Sequence, residues 1–238
     1  MIVTSRRILL TVLLFMACAV ARVQANDVLL PSPAAHIDGL SAAPVSVIEP
    51  HESIALKPVE VTYQGFPVVP LLDQWLGDRW RTADALVTFE AKDGYLSIIP
   101  ALRLRQYPAY LVYGNAHGAD FSVETPPLGH RVSLGPWYLV WDNVLHPALR
   151  GDGATYWPYQ ITRVGVLDST RLARLMPPML PERYKDGAQL TLKYCLACHQ
   201  VNGVGGTKLP IDLGQWAAGQ SFAQMATWVL DPSGKNPL

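Results

Sequence analysis

The sequence predicts an α+β protein in which a strand-rich segment is followed by a smaller helical one, behind an export signal. Three observations carry this reading. Short apolar runs with period-two alternation, separated by turn residues, fill residues 56–168. Apolar spacing changes to the helical period from Pro181 onward. A basic end followed by a short apolar run opens the chain. The 238 residues, half of them apolar and 16% charged, are enough for one or two packed domains and are too apolar for a disordered tail. Nineteen basic side chains stand against nineteen acidic ones, so no electrostatic footprint for nucleic acid exists. Three cysteines, Cys18, Cys195 and Cys198, cannot build a disulfide framework.

The elements follow in order. Arg6 and Arg7 precede an apolar stretch from Ile8 to Val20 that is short for a membrane span, and Val23 and Ala25 supply a cleavage spacing. Residues 1–25 therefore read as a signal peptide, which places the mature chain in the periplasm without a membrane span. Acylation of Cys18 is disfavoured because Phe15, Met16 and Ala17 make a poor lipobox. Residues 26–55, rich in Pro, Ala and Ser, form a lead-in or a first edge strand. In the strand-rich domain, residues 56–168, Val59 to Tyr63 alternates like a strand and Val69 to Gly77 has the spacing of a short helix. Further strands are expected at Leu86 to Ala91, Ala109 to Tyr113, Tyr138 to Trp141 and Ile161 to Leu167. Asp93 with Gly94, and Gly151 to Gly153, are turn signals. Residues 169–181, with Pro177, Pro178 and Pro181, read as a linker. Residues 182–238 read as helical, with one helix over Glu182 to His199 and another over Ser221 to Leu230.

Cys195, Leu196, Ala197, Cys198 and His199 form a Cys-x-x-Cys-His run, the attachment pattern of c-type haem. On one helical turn two thiols can form thioethers with the two haem vinyl groups, and the adjacent imidazole meets the iron from the proximal side. The run predicts one covalent haem c with His199 as iron ligand. Two other chemistries use the same residue types. A zinc site needs a fourth ligand, and no other Cys or His lies nearby in sequence. A thioredoxin-like redox pair wants a βαβ setting, whereas this pair ends a helix.

Asp186 to Tyr194 leads into the motif, and Asn202 to Pro210 follows it as a Gly-rich loop ending in proline. With these flanks, residues 181–238 resemble the first part of a class I c-type cytochrome. The resemblance implies a small all-α domain, a close helix crossing at Gly187, and a Pro210 carbonyl that accepts a hydrogen bond from the His199 ring. It also implies a distal methionine and a closing helix beyond Leu238, so the cytochrome part reads as incomplete at its C-terminus. Met225 is the one methionine after His199. Its helical spacing with Phe222, Trp228 and Val229 favours a core role over iron ligation.

Residues 59–168 resemble the molybdopterin-binding domain of the sulfite-oxidase family. The likeness rests on Gly65 to Pro67, Leu71 and Leu72, Phe89 to Tyr95, Gly135 to Trp141, and Trp157 to Gln160. That family holds molybdenum through a cysteine thiolate, and this domain has no cysteine. The resemblance thus implies a degenerate domain without a molybdenum cofactor, serving as scaffold or docking module. His117, His130 and His146, with Arg103, Arg105 and Arg131, are scattered singly and read as surface or loop residues. Trp137, Tyr138, Trp141, Tyr156, Trp157 and Tyr159 read as domain core. The expectation is an exported monohaem protein that transfers single electrons rather than a catalyst, with an exported dehydrogenase or a terminal oxidase as redox partner. A haem-coupled oxidoreductase retaining an organic or pterin cofactor, and a haem-based ligand sensor, are the alternatives.

Overall fold

The computed structural model describes residues 27–33, 37–54, 57–125, 129–176 and 179–231. The export signal, Cys18, Pro177 and Pro178 lie outside them. Two four-stranded antiparallel sheets build the body. One runs in the order β1 (Val28–Leu29), β10 (Ile161–Leu167), β4 (Leu86–Ala91), β5 (Leu96–Pro100). The other runs β2 (Ala43–Ile48), β3 (Glu60–Pro67), β6 (Ala109–Asn115), β9 (Tyr138–Trp141). A ribbon of β7 (Ser122–Thr125) and β8 (His130–Ser133) stands beside them.

The core forms where these strands turn their large side chains together. Phe89, Ile99, Leu111, Trp137, Tyr138 and Trp141 are fully buried. Helix α1 (Val68–Leu76) adds Val68, Leu71, Leu72 and Leu76, one stripe at helical spacing. Two fully buried indoles reach an acceptor, as burial of a polar N–H demands. Trp137 Nε1 donates to the Pro31 carbonyl at 2.8 Å, and Trp141 Nε1 donates to the Tyr156 carbonyl at 2.7 Å. Helix α2 (Ala101–Gln106) follows β5 and buries Ala101 and Leu104.

The residues expected as a linker contain helix α3 (Ser169–Leu175), whose N-terminus is capped by Asp168 accepting from the Arg171 N–H at 2.8 Å. The helix is not idle. Arg174 donates to the Asn202 carbonyl, and the Asn202 side chain donates back to the Arg174 carbonyl at 2.8 Å.

A separate small all-α domain at the C-terminal end is not found among the described residues. Helix α4 (Lys185–Leu190) runs into a π-helical turn over Thr191–Cys195, and the chain then forms an antiparallel ribbon of β11 (Gln200–Val201) and β12 (Val204–Gly205). Only afterwards come α5 (Leu213–Ala218) and α6 (Phe222–Leu230). The physical reason lies in burial. None of α4, α5 and α6 buries a side chain, so these short helices make no core of their own. Leu192 and Leu196 instead pack on Leu96 and Ile98 of β5.

Backbone contacts seal the same seam. The Leu96 N–H donates to the Ala197 carbonyl, and the Thr207 N–H donates to the Gly94 carbonyl, both at 2.8 Å. Gly94 takes a φ of 84°, and a Cβ there would strike Thr207. A Cβ on Gly206 would strike the Ala197 carbonyl and lie 2.9 Å from that of Gly94. Lys193 with Asp152 and Lys208 with Asp93, each at 2.8 Å, add ion pairs across the seam.

Leu196→Ala removes a side chain 1% exposed and should cost about 2–4 kcal/mol, whereas Leu190→Ala, at a position 57% exposed, should stay within about 0.5 kcal/mol. Urea denaturation of the two variants beside the parent chain measures the difference. Equal midpoints for all three would show that the seam does not carry stability.

Candidate functional site

The π-helical turn decides how the Cys-x-x-Cys-His run is presented. The Leu196 N–H reaches back five residues to the Thr191 carbonyl at 3.0 Å, which widens the helix just before the motif. The Cys198 and His199 N–H groups then both donate to the Cys195 carbonyl, at 3.2 and 3.0 Å, so the motif is one closed turn. His199 is buried. Its Nδ1 lies 3.3 Å from the carbonyl oxygen of Ile211. A carbonyl can only accept, so Nδ1 carries the proton and Nε2 keeps its lone pair. The acceptor is one residue beyond Pro210.

Asp212 holds that acceptor in place. Its carboxylate accepts from the backbone N–H of Gly203 at 2.8 Å and of Gly214 at 2.9 Å, tying the loop after the motif to the start of α5. The Trp228 ring meets the His199 imidazole edge to face at 6.1 Å and lies 4.9 Å from Trp216. The thiols of Cys195 and Cys198 are free and half-buried. Burial pushes both above the ordinary thiol value; at Cys198 the Lys208 ammonium lowers it again and Asp93 raises it. Both are therefore thiols rather than thiolates at neutral pH.

Other expectations fare differently. Met225 is half-buried on α6, but Phe222 and Val229, expected beside it in a core, are 83% and 66% exposed. That helix buries none of its side chains, and its Trp228 ring meets His199 of the motif. Gly187 faces open space rather than a crossing helix. His117 and His130 are exposed, and His146 packs its ring on Tyr107 at 5.6 Å. Among the described residues no group of three or more His, Cys, Asp or Glu side chains is placed to hold a metal. Arg103 is structural rather than superficial. It pairs with Asp152 at 2.6 Å and lies over the rings of Trp141 and Tyr156 at 5.1 Å. Arg105 donates to the Arg81 carbonyl, and Arg131 faces Asp120 at 3.8 Å.

A second cluster escaped the sequence reading. Glu49 is fully buried and accepts from Tyr63 Oη at 2.8 Å, from Tyr138 Oη at 3.0 Å and from the His51 N–H at 3.0 Å. Burial alone pushes its carboxyl up, but the hydrogen bond and charge of His51, with the Tyr63 hydroxyl, outweigh it and leave Glu49 below its ordinary 4.5. A signal was present. Val45, Val47 and Glu49 alternate on one face running through β2 and just beyond it, and all three are buried.

No protein-family model matches this chain, and none of the curated proteins matches it.

Asp152 links the motif to the body through Lys193 and Arg103. Its own burial raises its pKa, but the Lys193 hydrogen bond and the Arg103 charge prevail and hold it below the ordinary 3.8. A carboxyl depressed in the folded state contributes stability above its unfolded value, and that contribution is lost as pH falls through the folded one. Asp152→Asn should therefore cost about 1–2 kcal/mol at pH 7, and the gap to the parent chain should narrow towards pH 3. Denaturation midpoints at the two pH values measure it; a gap that widens on acidification would contradict the assignment.

Proposed function

We propose that this chain is an exported, periplasmic one-electron carrier that holds a single haem c through thioethers at Cys195 and Cys198, with His199 as the axial ligand. The observation that carries the reading is the closed turn of the motif, with the His199 Nδ1 committed to the Ile211 carbonyl and its Nε2 lone pair left for a metal. The bound haem supplies an iron centre that accepts and returns one electron. The protein does the rest. Asp212 fixes the carbonyl that orients the imidazole, the turn closed on the Cys195 carbonyl sets the spacing of the thiols, and the β5 seam holds that turn against the sheet.

The surface around the motif suits a flat apolar group. Leu190 and Tyr194 on the stretch leading into it are more than half exposed, and the Trp228 ring of α6 lies against His199. On this reading the body is a degenerate relative of the molybdopterin-binding domain of sulfite oxidases, lacking the cysteine that would hold molybdenum. It acts as a scaffold on which an exported dehydrogenase or a terminal oxidase docks. A small, quickly released interface suits such an exchange.

Co-expression with a haem-maturation system should yield a red protein whose haem survives acid-acetone extraction, with about one iron per chain and no stoichiometric molybdenum. Cys195→Ala or Cys198→Ala should leave a single thioether, visible as a shifted pyridine haemochrome band. His199→Ala should abolish the axial nitrogen signature. A colourless chain whose two thiols remain fully titratable after co-expression would refute the proposal.

A further inference from the structure

The cleft between the body and the motif contains a second arrangement that electron transfer does not use. It encloses a cavity of about 250 Å³. Tyr95, Trp157, Pro158 and Tyr159 form an apolar, largely aromatic wall, and His51 and Cys198 also line it. His51 is the one lining group tied to the buried Glu49. Its Nδ1 lies 2.8 Å from Glu49 Oε1 and 3.1 Å from Tyr138 Oη. A carboxylate only accepts, so Nδ1 carries a proton and donates it to Glu49, and Nε2 is the ring nitrogen left over. Nε2 makes no hydrogen bond among the described residues, and the edge of the ring away from Glu49 is the one left to the cavity.

The wall is held at a conformational cost. Tyr156 and Gln160, immediately before and after Trp157 to Tyr159, take φ values of 68° and 56°, which side-chain-bearing residues rarely adopt. Hydrogen bonds pin both ends: Trp141 Nε1 to the Tyr156 carbonyl, and the Gln160 N–H to the Leu134 carbonyl at 2.8 Å. Strain kept at two points around one short aromatic segment, beside a fully buried carboxylate, marks a built pocket rather than leftover space.

Size and charge narrow the ligand. A cavity of roughly 150 Å³ accepts benzene, so this one holds a single substituted ring, and it falls short of the roughly 300 Å³ at which cofactor-sized pockets begin. The one ammonium on the lining, Lys208, is already paired with Asp93 at 2.8 Å, and Glu49 behind His51 is ionised. Each positive group on the lining thus has its own carboxylate, Lys208 with Asp93 and His51 with Glu49, and an anion finds no uncompensated charge there. We propose that the cavity binds a small neutral phenol, its ring against the Trp157–Tyr159 wall and its hydroxyl hydrogen-bonded to His51 Nε2. Glu49 is the positioning residue, holding the His51 ring by its Nδ1 so that Nε2 is offered. A phenol bound there lies beside Cys198, but the site needs no haem.

Calorimetry and ligand-observed NMR on the full chain test this, with phenol, toluene and benzoate as probes and haem content measured separately on each sample. Phenol should bind saturably in the millimolar range or tighter. Toluene, which has the same shape without the hydroxyl, should bind at least about tenfold more weakly, because it leaves Nε2 desolvated and unpaired. His51→Ala should reduce phenol to the level of toluene, and Lys208→Met should leave phenol binding unchanged. Circular dichroism confirms that each variant is folded. Equal binding of phenol and toluene, phenol binding that survives His51→Ala, or tighter binding of benzoate that Lys208→Met removes would each overturn the assignment. So would the absence of saturable phenol binding. A chain that binds phenol but takes up no haem would instead overturn only the electron-transfer reading.

Discussion

Backbone meeting backbone at Gly94 and Gly206 is the constraint from which the rest of the C-terminal half takes its form. The two chains approach so closely that a Cβ on either glycine would strike the opposite strand or turn. That approach lets Leu96 and Thr207 hydrogen-bond across the seam and lets Leu196 settle onto β5. Cys195, Cys198 and His199 are thereby mounted on a sheet rather than on a free helical hairpin. Three short surface helices would make a poor foundation for a cofactor, because most helical stability comes from packing. The sheet supplies what they lack.

Charge is arranged around the same seam. Asp152, between Arg103 and Lys193, ties the turn before the motif to the body. Lys208 and Asp93 pair beside Cys198, and Glu49 sits fully buried behind His51 with two tyrosine hydroxyls on its oxygens. Buried charge is costly unless it is hydrogen-bonded, and Glu49, the fully buried one of these carboxylates, meets that condition. The turn carrying Asp93, Gly94 and Tyr95 serves both the seam and the cleft. The motif and the aromatic pocket are therefore mechanically one unit.

Much of the body was legible because its strands obey local rules. Leu86–Ala91, Tyr138–Trp141 and Ile161–Leu167 fall where alternation and turn residues put them. Helix α6 begins at Ser221, whose exchange of hydrogen bonds with Gln224 is a capping box written in four residues. Strand β5 was missed because Leu96 to Ile99 are all buried, which erases the alternation that reveals a half-exposed strand. Ribbon β11–β12 was missed because two-residue strands carry no period at all. Helix α3 hid within a segment whose prolines read as a hinge, although its Asp168 cap was there to be seen.

The sequence by itself determined which atoms carry the chemistry of the motif. Two thiols and an imidazole within five residues are a local pattern, and one turn of chain is enough to present them together. Only the tertiary structure decided what surrounds them. It set Ile211 rather than its neighbour against His199, replaced an independent helical domain by a turn docked on β5 with a ribbon and exposed short helices beside it, and brought Tyr138 to Glu49 across 89 residues of chain. Periodicity records which face of an element is apolar, but not which distant face will cover it. That choice is made by area buried and polar groups satisfied over the whole molecule, and no window of sequence contains it.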